Sequence, residues 1–76
     1  MAELLEYLAR QLVDDPDAVR VEEDEDDYGG LVLHLHVADA DVGKVIGRQG
    51  RIARALRTVL RACAAGEDRR VQLEIA

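Results

Sequence analysis

The amino-acid sequence predicts an α+β fold in the order αββααβ, a three-stranded sheet packed on helices, and three observations carry that prediction. Apolar residues recur at helical spacing near the start of the chain and again after Gly50. Between those stretches Leu31, Leu33, Leu35 and Val37 alternate with Val32, His34 and His36, which sets four apolar side chains on one face of a strand. Two glycines, Gly47 and Gly50, interrupt the helical pattern that otherwise runs from Asp39 towards Gly66. The chain has 76 residues, enough for one small core and too few for a second, so residues 1–76 are read as one domain. A chain this short buries only about 60 % of the surface that its unfolded form exposes, which makes a partner subunit a reasonable expectation.

The elements follow in order. Leu4, Leu5, Leu8, Leu12 and Val13 lie at helical spacing with Glu3, Glu6 and Arg10 between them, and Asp14-Asp15-Pro16 ends the pattern. From Ala18 a strand begins with Val19 and Val21, then gives way to the acidic run Glu22 to Asp27, whose self-repulsion predicts a solvated segment. Tyr28-Gly29-Gly30 supplies a turn into the alternating strand. Asp39 is the expected N-cap of a short helix through Asp41 to Ile46, interrupted at Gly47. In the longer helix after Gly50, Ile52, Leu56, Val59, Leu60 and Cys63 cluster on one side, and Arg51, Arg54, Arg57 and Arg61 on the other. Cys63 on that apolar stripe is expected to be a buried small hydrophobe. Gly66 reads as the helix stop, and Val71, Leu73 and Ile75 alternate with Gln72 and Glu74 as a closing strand.

A net charge of −6 argues against a polyanion as ligand until its distribution is counted. Residues 1–42 hold two basic residues against 13 acidic ones, whereas residues 43–70 hold eight basic residues against Glu67 and Asp68. Charges more than roughly 8 Å apart are largely screened at physiological salt, so a phosphate beside the second segment meets a local basic field. Two helices meeting at Gly47-Arg48-Gln49-Gly50 leave the second with unpaired N–H groups, which attract anions. Glycines at both ends let a sugar-phosphate chain approach without meeting a Cβ. Lys44, Arg48 and Arg51 add positive charge around the same point, and Val45, Ile46 and Ile52 supply an apolar floor against which bases can rest.

Val45-Ile46-Gly47-Arg48-Gln49-Gly50-Arg51-Ile52 resembles the (V/I)IGxxGxxI signature of the KH family of RNA-binding domains, and the αββααβ order resembles its type II arrangement. With Asp14-Asp15-Pro16 and the segment Gly43 to Ala53, the similarity to the small bacterial KhpA-type branch of that family extends over nearly the entire chain. The resemblance implies a non-catalytic KH domain that grips about four nucleotides of single-stranded RNA. Its RNA-binding residues would be Lys44, Val45, Ile46, Gly47, Arg48, Gln49, Gly50, Arg51, Ile52 and Arg54. It also implies a cytoplasmic RNA chaperone or post-transcriptional regulator that forms a homodimer, or a heterodimer with KhpB, a Jag-type KH protein. The acidic run departs from the family pattern where such domains have their variable loop, and it bears on how much of that side of the groove RNA can use.

Other functions fail on residue content. Lys44 follows Gly43 without the Ser or Thr of a P-loop, and no Ser-His-Asp or Cys-His set stands out, so neither an enzyme nor a small-molecule substrate is expected. His34 and His36 share a strand face without a third ligand at suitable spacing, so neither a metal nor another cofactor is expected. With no Phe or Trp, and with Tyr7 and Tyr28 as its aromatic residues, the chain lacks a base-stacking platform. No apolar run approaches membrane-spanning length, and the acidic N-terminus is unlike a secretory signal. The alternative function is a protein-docking or dimerisation module on the same scaffold.

Overall fold

The computed structural model describes residues 1–66 and 69–75 and has the expected element order, with helices α1 (Ala2–Leu12), α2 (Val42–Ile46) and α3 (Arg51–Ala65) and strands β1 (Arg20–Glu25), β2 (Leu31–His36) and β3 (Val71–Ile75). Glu67 and Asp68, the two acids counted against the basic segment, lie outside the described residues. Helix α1 buries Leu5 and Ala9 and ends at Val13, whose backbone is extended. Pro16 cannot continue a helix and disfavours helical geometry in the residue before it, and here it opens a short 3₁₀ turn, Pro16–Ala18.

The sheet order is β1-β2-β3, with β1 antiparallel and β3 parallel to β2. Contrary to the expectation that the strand fails at Glu22, the acidic run continues β1 as far as Glu25, paired residue by residue from Arg20 opposite His36 to Glu25 opposite Leu31. Ladder hydrogen bonds outweigh the repulsion because β1 is an edge strand whose acidic side chains from Glu22 to Glu25 are all exposed to water. Asp26 then closes the hairpin: its carboxylate accepts N–H bonds from Gly30 at 2.7 Å and Tyr28 at 2.8 Å. Those two bonds hold its carboxyl below the ordinary carboxylate range.

Leu31, Leu33 and Leu35 of β2 point to one face and are buried, joined by Leu5, Val45, Leu56, Leu60 and Leu73 in one core cluster. On the opposite face His34 lies 3.1 Å from Glu74 and His36 3.5 Å from Glu22, two separate pairs half open to solvent. Helix α3 turns Ala53, Leu56, Leu60 and Ala64 to the core. Cys63 and Val59, expected on that buried stripe, are exposed instead. The inward arc follows the 3-4-4 spacing of the four buried residues, and Val59 and Cys63 fall on its flank, beyond the surface that the sheet covers. The helix stops where Gly66 was expected to stop it, yet Gly66 keeps right-handed backbone angles and is not a left-handed glycine cap.

The expected cap at Asp39 does not form: Asp39–Asp41 is a 3₁₀ turn, and no side chain caps α2. Asp41 has a different role. It is 2 % exposed, and its carboxylate accepts the Asp15 N–H at 3.0 Å and a bond from Lys44 Nζ at 3.2 Å, which fastens the α1–β1 connection to the base of α2. Burial alone pushes the Asp41 carboxyl up, but the bonds from the backbone N–H groups of Asp15 and Asp14 and from Lys44 outweigh it, and the net direction is down.

Two stability measurements test this account. Leu33→Ala should cost about 2–5 kcal/mol by leaving a cavity at the sheet centre, read as a lower urea midpoint at unchanged slope. Because Asp41 has a lowered folded-state pKa, its contribution is complete above the ordinary carboxyl range and is lost as pH falls through that range toward the lower folded value. Asp41→Asn should therefore melt below the wild type at neutral pH, with the gap closing below pH of about 4; parallel melting profiles across pH would refute the assignment.

Candidate nucleic-acid interface

The site begins with backbone geometry at the junction of α2 and α3. Gly47 sits at φ 76° and ψ 174°, a region open essentially to glycine alone. A Cβ there would lie 2.7 Å from Ile52 Cγ1 and 3.0 Å from the Ile52 backbone nitrogen, so glycine is required by space as well as by angle. Gly50, at φ 72° and ψ 17°, is left-handed and faces open space, and its N–H donates to the Gly47 carbonyl at 3.1 Å. Between them Gln49 also takes a left-handed conformation, φ 58° and ψ 25°, and is the one such non-glycine residue among those described. That conformation costs an L residue roughly 1–2 kcal/mol, so the surrounding turn must hold Gln49 in place.

The consequence is a sharp corner at which α3 starts with Gly50 as its N-cap, no side chain bonded to its first N–H groups and no acid in its first turn. The Arg51 N–H donates to the Arg48 carbonyl, and the later N–H groups of the first turn, with the positive end of the helix dipole, have no side-chain cap. Arg48, Gln49, Arg51 and Arg54 are all exposed around this corner. Ile46 is 36 % exposed, and Ile52 is half-buried beneath Gly47, so an apolar surface adjoins the cationic one.

Two of the predicted residues are placed differently. Val45 has no exposed surface and belongs to the core, where it holds α2 against the sheet. The Lys44 ammonium pairs with Asp14 and, at 3.2 Å, with Asp41. Hydrogen bonds to Asp14 first and to Asp41 second hold the Lys44 pKa above its ordinary value, so it is charged but directed at the α1–β1 connection. The structure thus gathers Ile46, Gly47, Arg48, Gln49, Gly50, Arg51, Ile52 and Arg54 at one corner and sets Lys44 and Val45 beneath it as support. Asp41, the buried carboxylate that fixes Lys44, went unnoticed in the sequence. Its i, i+3 spacing to Lys44 is a weak signal, and its other partner, Asp15, is 26 residues away.

Among the described residues, no group of three or more His, Cys, Asp or Glu side chains is arranged to hold a metal ion, and no helix is long and apolar enough to cross a membrane.

Known proteins resemble this chain over nearly its whole length. The family model described as KhpA/KhpB, KH domain, matches residues 2–75. The chain is 53 % identical to the RNA-binding protein KhpA of Borreliella burgdorferi over 73 residues, covering 96 % of this chain and 88 % of the relative. It is 52 % identical to the RNA-binding protein KhpA of Clostridium acetobutylicum, covering 99 % of each chain. For the RNA-binding protein KhpA of Aquifex aeolicus the identity is 49 %, covering 99 % of this chain and 94 % of the relative. Among solved structures, an Era variant from Aquifex aeolicus bound to GDP and an aluminium fluoride superposes with a TM-score of 0.61 over 97 % of this chain. This chain spans 28 % of that protein at 21 % identity, a likeness of fold alone. The mixed three-stranded sheet, the glycine-flanked corner between α2 and α3, and a family match over residues 2–75 together lead to one conclusion: the chain belongs to the KhpA/KhpB KH-domain family.

Proposed function

We propose that the protein is a non-catalytic RNA-binding protein that grips about four nucleotides of single-stranded RNA at the Gly47–Gly50 corner. The observation that carries the reading is the start of α3, with N–H groups that no side chain caps and a first turn without acids, at a corner where the positive-φ glycines Gly47 and Gly50 adjoin exposed Arg48 and Arg51. A phosphate at that point meets backbone donors, the helix dipole and guanidinium charge together. Ile46 and Ile52 offer bases van der Waals support, and hydrogen bonds to base edges would set what preference exists. So short a contact carries little sequence information, which suits an RNA chaperone or post-transcriptional regulator acting in the cytoplasm and drawing further specificity from a KH partner.

That partner is a second copy of the chain or a Jag-type KH protein, KhpB. The surface that favours pairing is a largely apolar concavity between α1 and α3, lined by Leu8, Leu12, Leu56 and Val59 and, next to the corner, by Arg51 and Ile52, with Gln11 as its other polar residue. Val59 is 42 % exposed there, an apolar side chain in a hollow that a partner surface can fill. The same hollow favours the second reading, a protein-docking module with little RNA affinity of its own.

Salt dependence separates the two readings, because each phosphate neutralised on a single strand contributes about −0.7 to the slope of log K against log salt. A fluorescent single-stranded RNA pool should bind the wild type more weakly as salt rises. An Arg48→Asp, Gln49→Asp double variant should bind worse by at least an order of magnitude or so, given the charge reversal beside the phosphate. Asp tolerates the left-handed backbone at position 49, so the fold should survive the change. Unchanged affinity in the variant would place RNA elsewhere. For pairing, Val59→Asp should shift the sedimentation profile toward monomer without altering the far-ultraviolet circular dichroism, and an unchanged association state would exclude this hollow as the interface.

A further inference from the structure

We propose that Asp41 and Lys44 are positioning residues for the RNA-gripping corner: they tie α2 to the end of α1 and so hold Gly47 where the corner bends, without touching RNA themselves. The inference rests on the RNA-binding reading of the Gly47–Gly50 corner and adds to it the side chains that set the corner's shape.

Helix α2 has five residues and leads directly into Gly47, so nothing within it fixes where that glycine lies. The Asp41 carboxylate, 2 % exposed, uses both oxygens: Oδ2 accepts the Asp15 N–H at 3.0 Å and Oδ1 accepts from Lys44 Nζ at 3.2 Å. Lys44 donates to Asp14 as well, which closes a clasp between the end of α1 and the first turn of α2. A carboxylate buried this deeply is retained only where such partners satisfy it. The backbone passes the position of that turn onward. The Gly47 N–H donates to the Gly43 carbonyl at 2.9 Å, and the Gly50 N–H to the Gly47 carbonyl at 3.1 Å. Ile52 abuts Gly47 so closely that no Cβ fits between them, so a shift of α2 is felt at the start of α3.

The cations near the corner divide into two kinds. Among the described residues, Arg48, Arg51 and Arg54 form no ion pair with a carboxylate. Lys44, the one lysine of the chain, faces two carboxylates, so its end of α2 offers a phosphate no net positive charge. The unpaired arginines can meet RNA, and the paired lysine holds the bend from which they project.

The test measures binding of a fluorescent oligouridylate of about four nucleotides to the full chain, at a temperature where every variant is folded by circular dichroism. Lys44→Met and Asp41→Asn should each weaken binding on the order of tenfold, because a corner no longer held must be ordered out of the binding energy. Asp41→Asn removes a negative charge, so electrostatics alone would tighten binding; a positioning role weakens it. Both variants should keep the wild-type slope of log K against log salt. Leu33→Ala, which loosens the core away from the clasp, should bind as the wild type does, and acetylation of Lys44 should run at the same rate with and without RNA. A slope shallower by about 0.7 in Lys44→Met, or protection of Lys44 by RNA, would make Lys44 a phosphate ligand and overturn the proposal. Unchanged affinity in both clasp variants, or an equal loss in Leu33→Ala, would reduce the clasp to a source of stability and overturn it too. If Lys44→Met does not fold, Asp41→Asn decides, since it keeps an acceptor for the Asp15 N–H. The Arg48→Asp, Gln49→Asp variant separates the two readings. Wild-type binding by that variant would sink the corner itself, whereas its failure beside unaffected clasp variants would leave the corner standing and remove the positioning role.

Discussion

Parallel pairing of β2 with β3 is the constraint on which the rest of the molecule depends. Two antiparallel strands can be joined by a tight turn, as Asp26 and Gly30 join β1 to β2, but parallel strands require the chain to cross back over the sheet. Here the crossover consists of α2, the glycine corner and α3, all lying on the face where Leu31, Leu33 and Leu35 need cover. The corner is therefore a requirement of the topology. A chain that must bend between two helices over an apolar sheet leaves one helix start uncovered, and in this molecule that start faces solvent without a side-chain cap.

A second dependence runs through Asp41. Helix α2 has five residues, far too few to persist alone in water, so its position must come from tertiary contacts. Val45 anchors it to the core from below, and Asp41 with Lys44 anchors it to the connection after α1. The first residue of the corner is thus set by a buried carboxylate outside the corner itself. Gly47 packed against Ile52 fixes the other side, since no side chain fits between them.

Charge is divided by the same architecture. The acidic strand β1 occupies one edge of the sheet and β3 the other, two strand spacings or roughly 10 Å apart. The acids of β1 and the exposed arginines of α3 thus belong to different elements of a chain whose net charge is −6. Where the two regions do meet, Glu25 and Arg69 touch at 3.7 Å. The acids of β1 also make that edge a poor template for a further strand, which protects an exposed sheet edge from association with other chains.

Element order, the buried face of β2 and the glycine corner were legible in the sequence by itself, because each follows from a local period or a local backbone demand. Alternation puts Leu31, Leu33 and Leu35 on one face whatever packs there, and Gly47 and Gly50 mark a bend whatever surrounds it. Tertiary structure decided the rest, because the outcome depended on residues distant in the chain. Backbone pairing with β2 drew the acidic run into a strand that its own repulsion argued against. The limited width of the sheet left Val59 and Cys63 outside the buried arc of a helix whose apolar stripe included them. Lys44, a cation beside the glycine corner, was committed to Asp41 and to Asp14, the latter 30 residues away and announced by no local spacing. Periodicity specifies which side of an element is apolar; only the packed partner determines how much of that side is covered and which charges are already paired.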